Sequence, residues 1–117
     1  MKEKARKNLE DGLHLLERGS VDSAANRLYY ALFQATMVAL ERMGMKPSDF
    51  RPGANRWDHG TVPRQIVLVR GRRDDAVLFN RMRDLRADAD YREGPVARGK
   101  LEFLKHEVVR FVREVTA

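Results

Sequence analysis

Four polar side chains form a cluster within the largely apolar stretch between residues 23 and 43: Asn26, Arg27, Tyr30 and Gln34. A buried Arg or Asn must find hydrogen-bonding partners, because burial without them costs several kcal/mol. Two interpretations stay open. One is a polar network that fixes helix register or a dimer interface, and the other is a polar groove that binds the phosphate of a ligand.

A second cluster, rich in charge, lies between residues 81 and 92. Arg86 and Asp90 are four residues apart and share a helix face, and Arg83 lies one turn before Arg86 on that side. These side chains can form exposed ion pairs, each worth about a few tenths of a kcal/mol. Alternatively, arginine guanidinium groups at this spacing can bind phosphate bidentately. The cluster as a whole comprises Arg81, Arg83, Asp84, Arg86, Asp88, Asp90, Tyr91 and Arg92.

The spacing of apolar residues predicts the helices that position both clusters. The first helix ends at Gly19, with Ser20 or Asp22 available to cap the second. The second runs from about residue 23 to residue 43 and is apolar on two sides, which is typical of a central, buried helix. Its two stripes are Leu28, Leu32, Ala35 and Ala39, and Tyr29, Phe33, Met37 and Leu40.

The sequence of the second half of the chain predicts a loop followed by three more helices. Residues 45–61 are irregular, and a loop of this length in a small domain is usually functional or mobile. Thr61 is the expected cap of a short helix with Pro63 in its first turn. The next helix starts at Asp74 or Asp75, and Gly94 and Pro95 break it. A last helix carries Leu101, Leu104, Val108, Phe111 and Val115.

These elements predict one all-α domain over residues 1–117, an antiparallel bundle of four long helices plus one short helix. The chain has no Cys, no apolar run of about 20 residues that could span a membrane, and no secretory signal behind its charged N-terminus. We therefore expect a cytoplasmic protein without a membrane partner. The net charge of +6 favours polyanions such as RNA, DNA or nucleotides, although a basic, solvated surface would have the same composition.

Two motifs resemble a known family. The sequence A-N-R-L-Y-Y-A-L-F-Q-A over residues 25–35 resembles the second-helix signature A-x-R-x-Y-Y-A-x-F-x-A of bacterial and archaeal HEPN domains. The sequence R-A-D-A-D-Y over residues 86–91 is similar to a later motif of that family, R-x-x-A-D-Y. His59, in the sequence Trp57-Asp58-His59, lies where relatives often carry a histidine before the third helix.

The resemblance implies an α-helical bundle that commonly forms a homodimer. Many HEPN domains are metal-independent endoribonucleases with an R-x4-6-H motif, and small ones are often encoded beside a minimal nucleotidyltransferase as toxin–antitoxin pairs. By resemblance, Arg86 takes the place of the motif arginine. The expected partners are therefore a second copy of the chain, a nucleotidyltransferase, and RNA or a nucleotide. The expected binding residues are Asn26, Arg27, Tyr30, Arg83, Arg86, Asp90 and Tyr91.

The chain departs from the nuclease motif at its histidine. None of the three histidines follows an arginine with four to six residues between them, and Tyr91 gives R-x4-Y instead. Tyrosine, with an ordinary pKa near 10, is a poor base at pH 7, whereas a neutral histidine suits the removal of a proton from a ribose 2′-hydroxyl. The candidate catalytic residues are therefore Arg86, Tyr91 and His59, the last only if its loop folds back onto the bundle.

Three functions follow from the sequence. The first is binding of RNA or a nucleotide by a HEPN-like domain that works with a nucleotidyltransferase. The second is a non-catalytic, dimeric interaction module in which Asn26, Arg27, Tyr30 and Arg86 serve the interface. The third is a metal-independent endoribonuclease that uses Arg86. No metal-ligand spacing and no glycine-rich phosphate loop is present, so we expect neither a metal nor a cofactor.

Overall fold

The computed structural model of the protein describes residues 1–91 and 98–117, without the side chains of residues 89–91. The predicted break at Gly94 and Pro95, and Arg92, lie outside the described residues. Within the described ranges the chain is all-helical and has no strand, as predicted. The helices are α1 (Lys2–Glu17), α2 (Val21–Arg42), α3 (Val62–Arg70), α4 (Arg73–Tyr91) and α5 (Arg98–Val115), with one 3-10 turn at Pro47–Asp49.

Helix α2 is the centre of the molecule. It contacts each of the other four α-helices, and every residue of its two predicted apolar stripes is buried. Tyr29 of α2, Phe79 of α4 and Phe111 of α5 are the largest fully buried side chains. The two-sided apolar pattern of α2 therefore reflects burial within one chain, and a dimer interface is not needed to explain it.

The loop between α2 and α3 is held by specific contacts. The indole Nε1 of Trp57 donates to Glu41 of α2 at 3.0 Å, and the Trp57 ring packs against Phe50 with centroids 5.8 Å apart. These contacts join the loop to the C-terminal part of α2. The segment that carries His59 thus has a defined position beside the central helix.

The start of α3 differs from the sequence prediction. Thr61 occupies the N-cap position, but its hydroxyl makes no capping bond to α3. Asp58 instead accepts, at Oδ1, the backbone N–H groups of Gly60 and Thr61, each at 2.8 Å, and the Thr61 hydroxyl at 3.1 Å. These bonds close the turn that precedes α3, and the predicted side-chain cap by Thr61 is not formed.

No helix within residues 1–91 or 98–117 combines the length and the apolar character that crossing a membrane requires.

Candidate functional site

Aromatic rings from three parts of the chain meet beside the middle of α2. Tyr29, Tyr30 and Phe33 lie on α2, Phe79 lies on α4, and His59 comes from the loop before α3. The imidazole of His59 stacks on Phe33 with ring centroids 4.3 Å apart, and it lies nearly parallel to Tyr29 at 5.7 Å. Tyr29 packs edge-on against Phe79 at 5.5 Å, which joins the rings to the hydrophobic core. The loop therefore does fold back onto the bundle.

Arg86 approaches the same rings from α4. Its Nη2 donates to the hydroxyl of Tyr30 at 3.0 Å, and its Cζ lies 5.1 Å from the ring centroid of Tyr29 and 5.0 Å from that of Tyr30. A guanidinium at this distance from a ring face is stabilised by cation–π attraction. Tyr29, Tyr30, Phe33, His59 and Arg86 together are named the Tyr–His–Arg site.

One short hydrogen bond links the histidine to the core. The hydroxyl of Tyr29 and Nδ1 of His59 are 2.8 Å apart. Tyr29 is fully buried, whereas His59 remains exposed at the surface. The imidazole therefore has one nitrogen held by a buried group and a surface that solutes can reach.

The environment of the site favours the neutral forms of His59 and Tyr29. Burial, followed by the nearby positive charge of Arg86, lowers the pKa of His59 from its ordinary value, and Asp58 opposes this in part. Burial also raises the pKa of Tyr29, and the charge of Arg86 opposes that change. At pH 7 His59 is thus a neutral imidazole and Tyr29 a neutral phenol, beside the positive charge of Arg86.

The structure brings together Tyr30, Arg86 and His59 but not Arg27. Arg27 donates to Oδ1 of Asn8 on α1 at 3.2 Å, and Asn8 in turn donates to Oε1 of Gln34 at 2.8 Å. These side chains form a polar network between α1 and α2, which matches the register-fixing interpretation of this part of the first cluster. Asn26 lies half-buried on α2, one residue from Arg27.

The remaining candidates lie on α4. Arg83 is exposed, and its charge is close enough to act on Tyr29, whose pKa it lowers slightly against the effect of burial. Asp90 and Tyr91 belong to the last turn of α4, but their side chains lie outside the described residues.

Sequence reasoning missed two members of the site. Tyr29 and Phe33 read as core residues because they belong to an apolar stripe, and both are indeed buried. The signal that could have singled out Tyr29 is its hydroxyl, since a buried tyrosine O–H needs a partner and none was evident in the sequence.

A separate groove lies between α4 and α5. It has a volume of about 480 Å³, and its lining includes Arg81, Leu85, Phe103 and Leu104. Phe103 is 72% exposed, the largest exposure of a big apolar side chain in the described part of the chain. The described lining of this groove contains neither a histidine nor a tyrosine.

Comparison of the chain with protein-family models, with curated proteins and with solved structures gives no match. Across residues 1–91 and 98–117, His, Asp and Glu side chains form no group of three that could ligate a metal ion. What the fold and the site define is an all-α domain whose central helix presents tyrosines to an arginine and a neutral histidine.

Proposed function

We propose that this chain is a HEPN-like domain that binds the phosphate groups of RNA or of a nucleotide at the Tyr–His–Arg site. The observation that carries the proposal is the convergence of Arg86 and His59 on the rings of both Tyr29 and Tyr30. A guanidinium binds phosphate through charge-assisted hydrogen bonds, and an exposed imidazole can add a further donor or a stacking surface. The net charge of +6 attracts polyanions over a longer range.

The motif resemblance supports the wider setting of this proposal. It implies an antiparallel, HEPN-like arrangement of the five helices, a homodimer, and a minimal nucleotidyltransferase as the protein partner in a toxin–antitoxin-like pair. A cytoplasmic location fits the cysteine-free composition.

The test compares the affinity of wild type and Arg86→Gln for a fluorescently labelled oligouridylate over a series of salt concentrations. We expect Arg86→Gln to weaken binding roughly tenfold, since a hydrogen bond to a charged group contributes about 1.5–3 kcal/mol. The slope of log affinity against log salt should decrease in magnitude by about 1, as expected for the loss of one phosphate contact. Competition with uridine monophosphate separates RNA binding from nucleotide binding.

The control is Arg110→Gln, which removes the same charge from an exposed arginine of α5 that pairs with Glu107. Arg86→Lys adds a second comparison, because it keeps the charge but loses the planar fork. Equal affinities for Arg86→Gln and Arg110→Gln would show that only net charge attracts RNA, and the proposed site would be wrong.

A second candidate function is metal-independent cleavage of RNA. It is favoured by the lowered pKa of His59 beside Arg86, because transfer of the 2′-hydroxyl proton needs a neutral base and the phosphorane needs a cation. The same proteins incubated with the oligouridylate in EDTA distinguish the two functions. Cleavage lost in both Arg86→Gln and His59→Ala would support the nuclease, whereas binding without cleavage supports the first proposal.

A further inference from the structure

The hydroxyl of Tyr29 can donate one hydrogen bond, and the residues that the structure describes offer it one acceptor. Tyr29 has no exposed surface, so its hydroxyl is shielded from solvent. Within the described part of the chain, Nδ1 of His59 at 2.8 Å is its one hydrogen-bond partner. Buried hydroxyl groups are almost always satisfied as donors, and a phenol that accepted a bond from His59 would keep its own proton buried without an acceptor.

The direction of this bond fixes the tautomer of the histidine. When the Tyr29 hydroxyl donates, Nδ1 of His59 must carry the lone pair that accepts. A neutral imidazole then has its proton on Nε2. The lowered pKa of His59 and the raised pKa of Tyr29 agree with a bond between two neutral groups.

The neighbouring rings fix the orientation of this imidazole. His59 stacks on Phe33 with an angle of 28° between the ring planes, and it lies at 17° to Tyr29. With Nδ1 directed to the buried hydroxyl, Nε2 lies on the opposite side of the ring. Among the side chains and backbone that the structure describes, Nε2 has no hydrogen-bond partner.

We propose that Tyr29 locks His59 as its Nε2–H tautomer, so that His59 and Arg86 together donate hydrogen bonds to the non-bridging oxygens of a phosphate group. This inference rests on the proposed function, and it assigns Tyr29 as a positioning residue and His59 as a phosphate-binding donor. Phosphate oxygens accept hydrogen bonds, so N–H donors on His59 and Arg86 suit them.

The Nε2–H tautomer of His59 is suited to phosphate binding but not to cleavage of RNA. A base must offer a lone pair to the proton of the ribose 2′-hydroxyl, but Nε2 already carries a proton and Nδ1 is held by Tyr29. In this state the site binds the RNA backbone without attacking it. The inference therefore favours the first proposed function over the nuclease.

The direct test is two-dimensional NMR of the unliganded, 15N-labelled protein, which correlates both imidazole nitrogens of each histidine with the ring protons. The chain has three histidines, and His59→Gln identifies the signals of His59. We expect wild-type His59 to be a single Nε2–H tautomer above pH 7, and we expect Tyr29→Phe to give a mixture. His14 and His106, which are exposed, serve as internal references. A wild-type Nδ1–H tautomer would overturn the inference without affecting the Arg86 experiment.

The second arm measures affinity for the labelled oligouridylate. The amide Nδ of asparagine lies near the position of Nδ1, and the amide Nε of glutamine lies near that of Nε2, so His59→Gln keeps a donor where the inference needs one. We expect His59→Ala to weaken binding several-fold and His59→Gln to restore most of it. Equal binding by wild type and His59→Ala would show that His59 does not touch the phosphate, even where the tautomer is as expected. Loss of affinity in His59→Gln equal to that in His59→Ala would also contradict the donor role.

Discussion

The folded structure disfavours the protonated form of His59 relative to the unfolded chain. Its pKa in the fold is lowered from the ordinary value of 6.5, chiefly by burial and then by Arg86, while Asp58 acts in the opposite direction. Protonation therefore costs more in the folded state than in the unfolded state. The unfolded chain binds the proton first as the pH falls.

This difference predicts a pH dependence of stability. The contribution of neutral His59 is fully present above the unfolded-state pKa of 6.5 and is lost as the pH falls from there through the lower pKa of the folded state. We expect the free energy of unfolding of wild type to decrease more between pH 7 and pH 5 than that of His59→Gln. Urea unfolding across this range measures the difference. Because the two proteins share every carboxylate, the contribution of the carboxylates to the pH dependence cancels in the comparison. Parallel curves would contradict the lowered pKa.

The site itself was only partly predictable from sequence. The candidates included Arg86, Tyr30 and His59 as separate features, and the structure places them on one ring cluster. Sequence could not decide whether His59 folds back, because that depends on Asp58 closing the turn and on Trp57 reaching Glu41, 16 residues away. Such long-range contacts leave no periodic pattern in a sequence.

At the scale of the elements, apolar spacing predicted the bounds of α2 and the start of α4 to within about two residues. The predicted second helix over residues 23–43 is observed as Val21–Arg42, and the predicted start at Asp74 or Asp75 is observed at Arg73. Helix ends depend on local capping and turn contacts: at α3 the predicted hydroxyl cap from Thr61 is absent, and Asp58 closes the turn before the helix.

Close packing of α1 on α2 predicts opposite effects for the same substitution at two glycines. A Cβ added at Gly12 would lie 2.8 Å from Cγ and Cδ2 of Leu28, a side chain without exposed surface. Alanine would add about 1 kcal/mol of helix propensity, but overpacking costs about 1–3 kcal/mol. Because Leu28 is enclosed by the core, we expect Gly12→Ala to lower the free energy of unfolding by about 1 kcal/mol.

The matched substitution is Gly99→Ala in the first turn of α5, where an added Cβ meets no atom within 4 Å. Here the gain in helix propensity stands alone, and we expect an increase of about 0.5 kcal/mol. Thermal and urea unfolding of the two variants measure both effects. A stabilised Gly12→Ala would mean that α1 moves away from α2 easily, which contradicts a tightly packed contact.

At the scale of the whole molecule, one arginine connects three helices. Arg70, at the end of α3, donates to Asp75 of α4 through Nε at 3.1 Å and through Nη2, and it also donates to Glu114 of α5. Its guanidinium lies 4.9 Å from the centroid of the Phe111 ring. The hydrogen bond to Asp75 is the chief reason that the pKa of Arg70 is raised above its ordinary value, with the Glu114 bond a smaller contribution.

The two carboxylates of this cluster should differ in their effect on stability. The Asp75 side chain is 3% exposed and that of Glu114 is 53% exposed, with Arg70 at 13%. Removal of a buried partner leaves a largely buried cation uncompensated, which costs about 3 kcal/mol, whereas water replaces an exposed partner at little cost.

We therefore expect Asp75→Ala to lower the free energy of unfolding by about 3 kcal/mol and Glu114→Ala to lower it much less. Urea unfolding in low and high salt measures both changes, and salt should reduce only the effect of Glu114→Ala. Equal losses in the two variants would mean that Arg70 depends no more on its buried partner Asp75 than on its exposed partner Glu114, which contradicts the argument from burial.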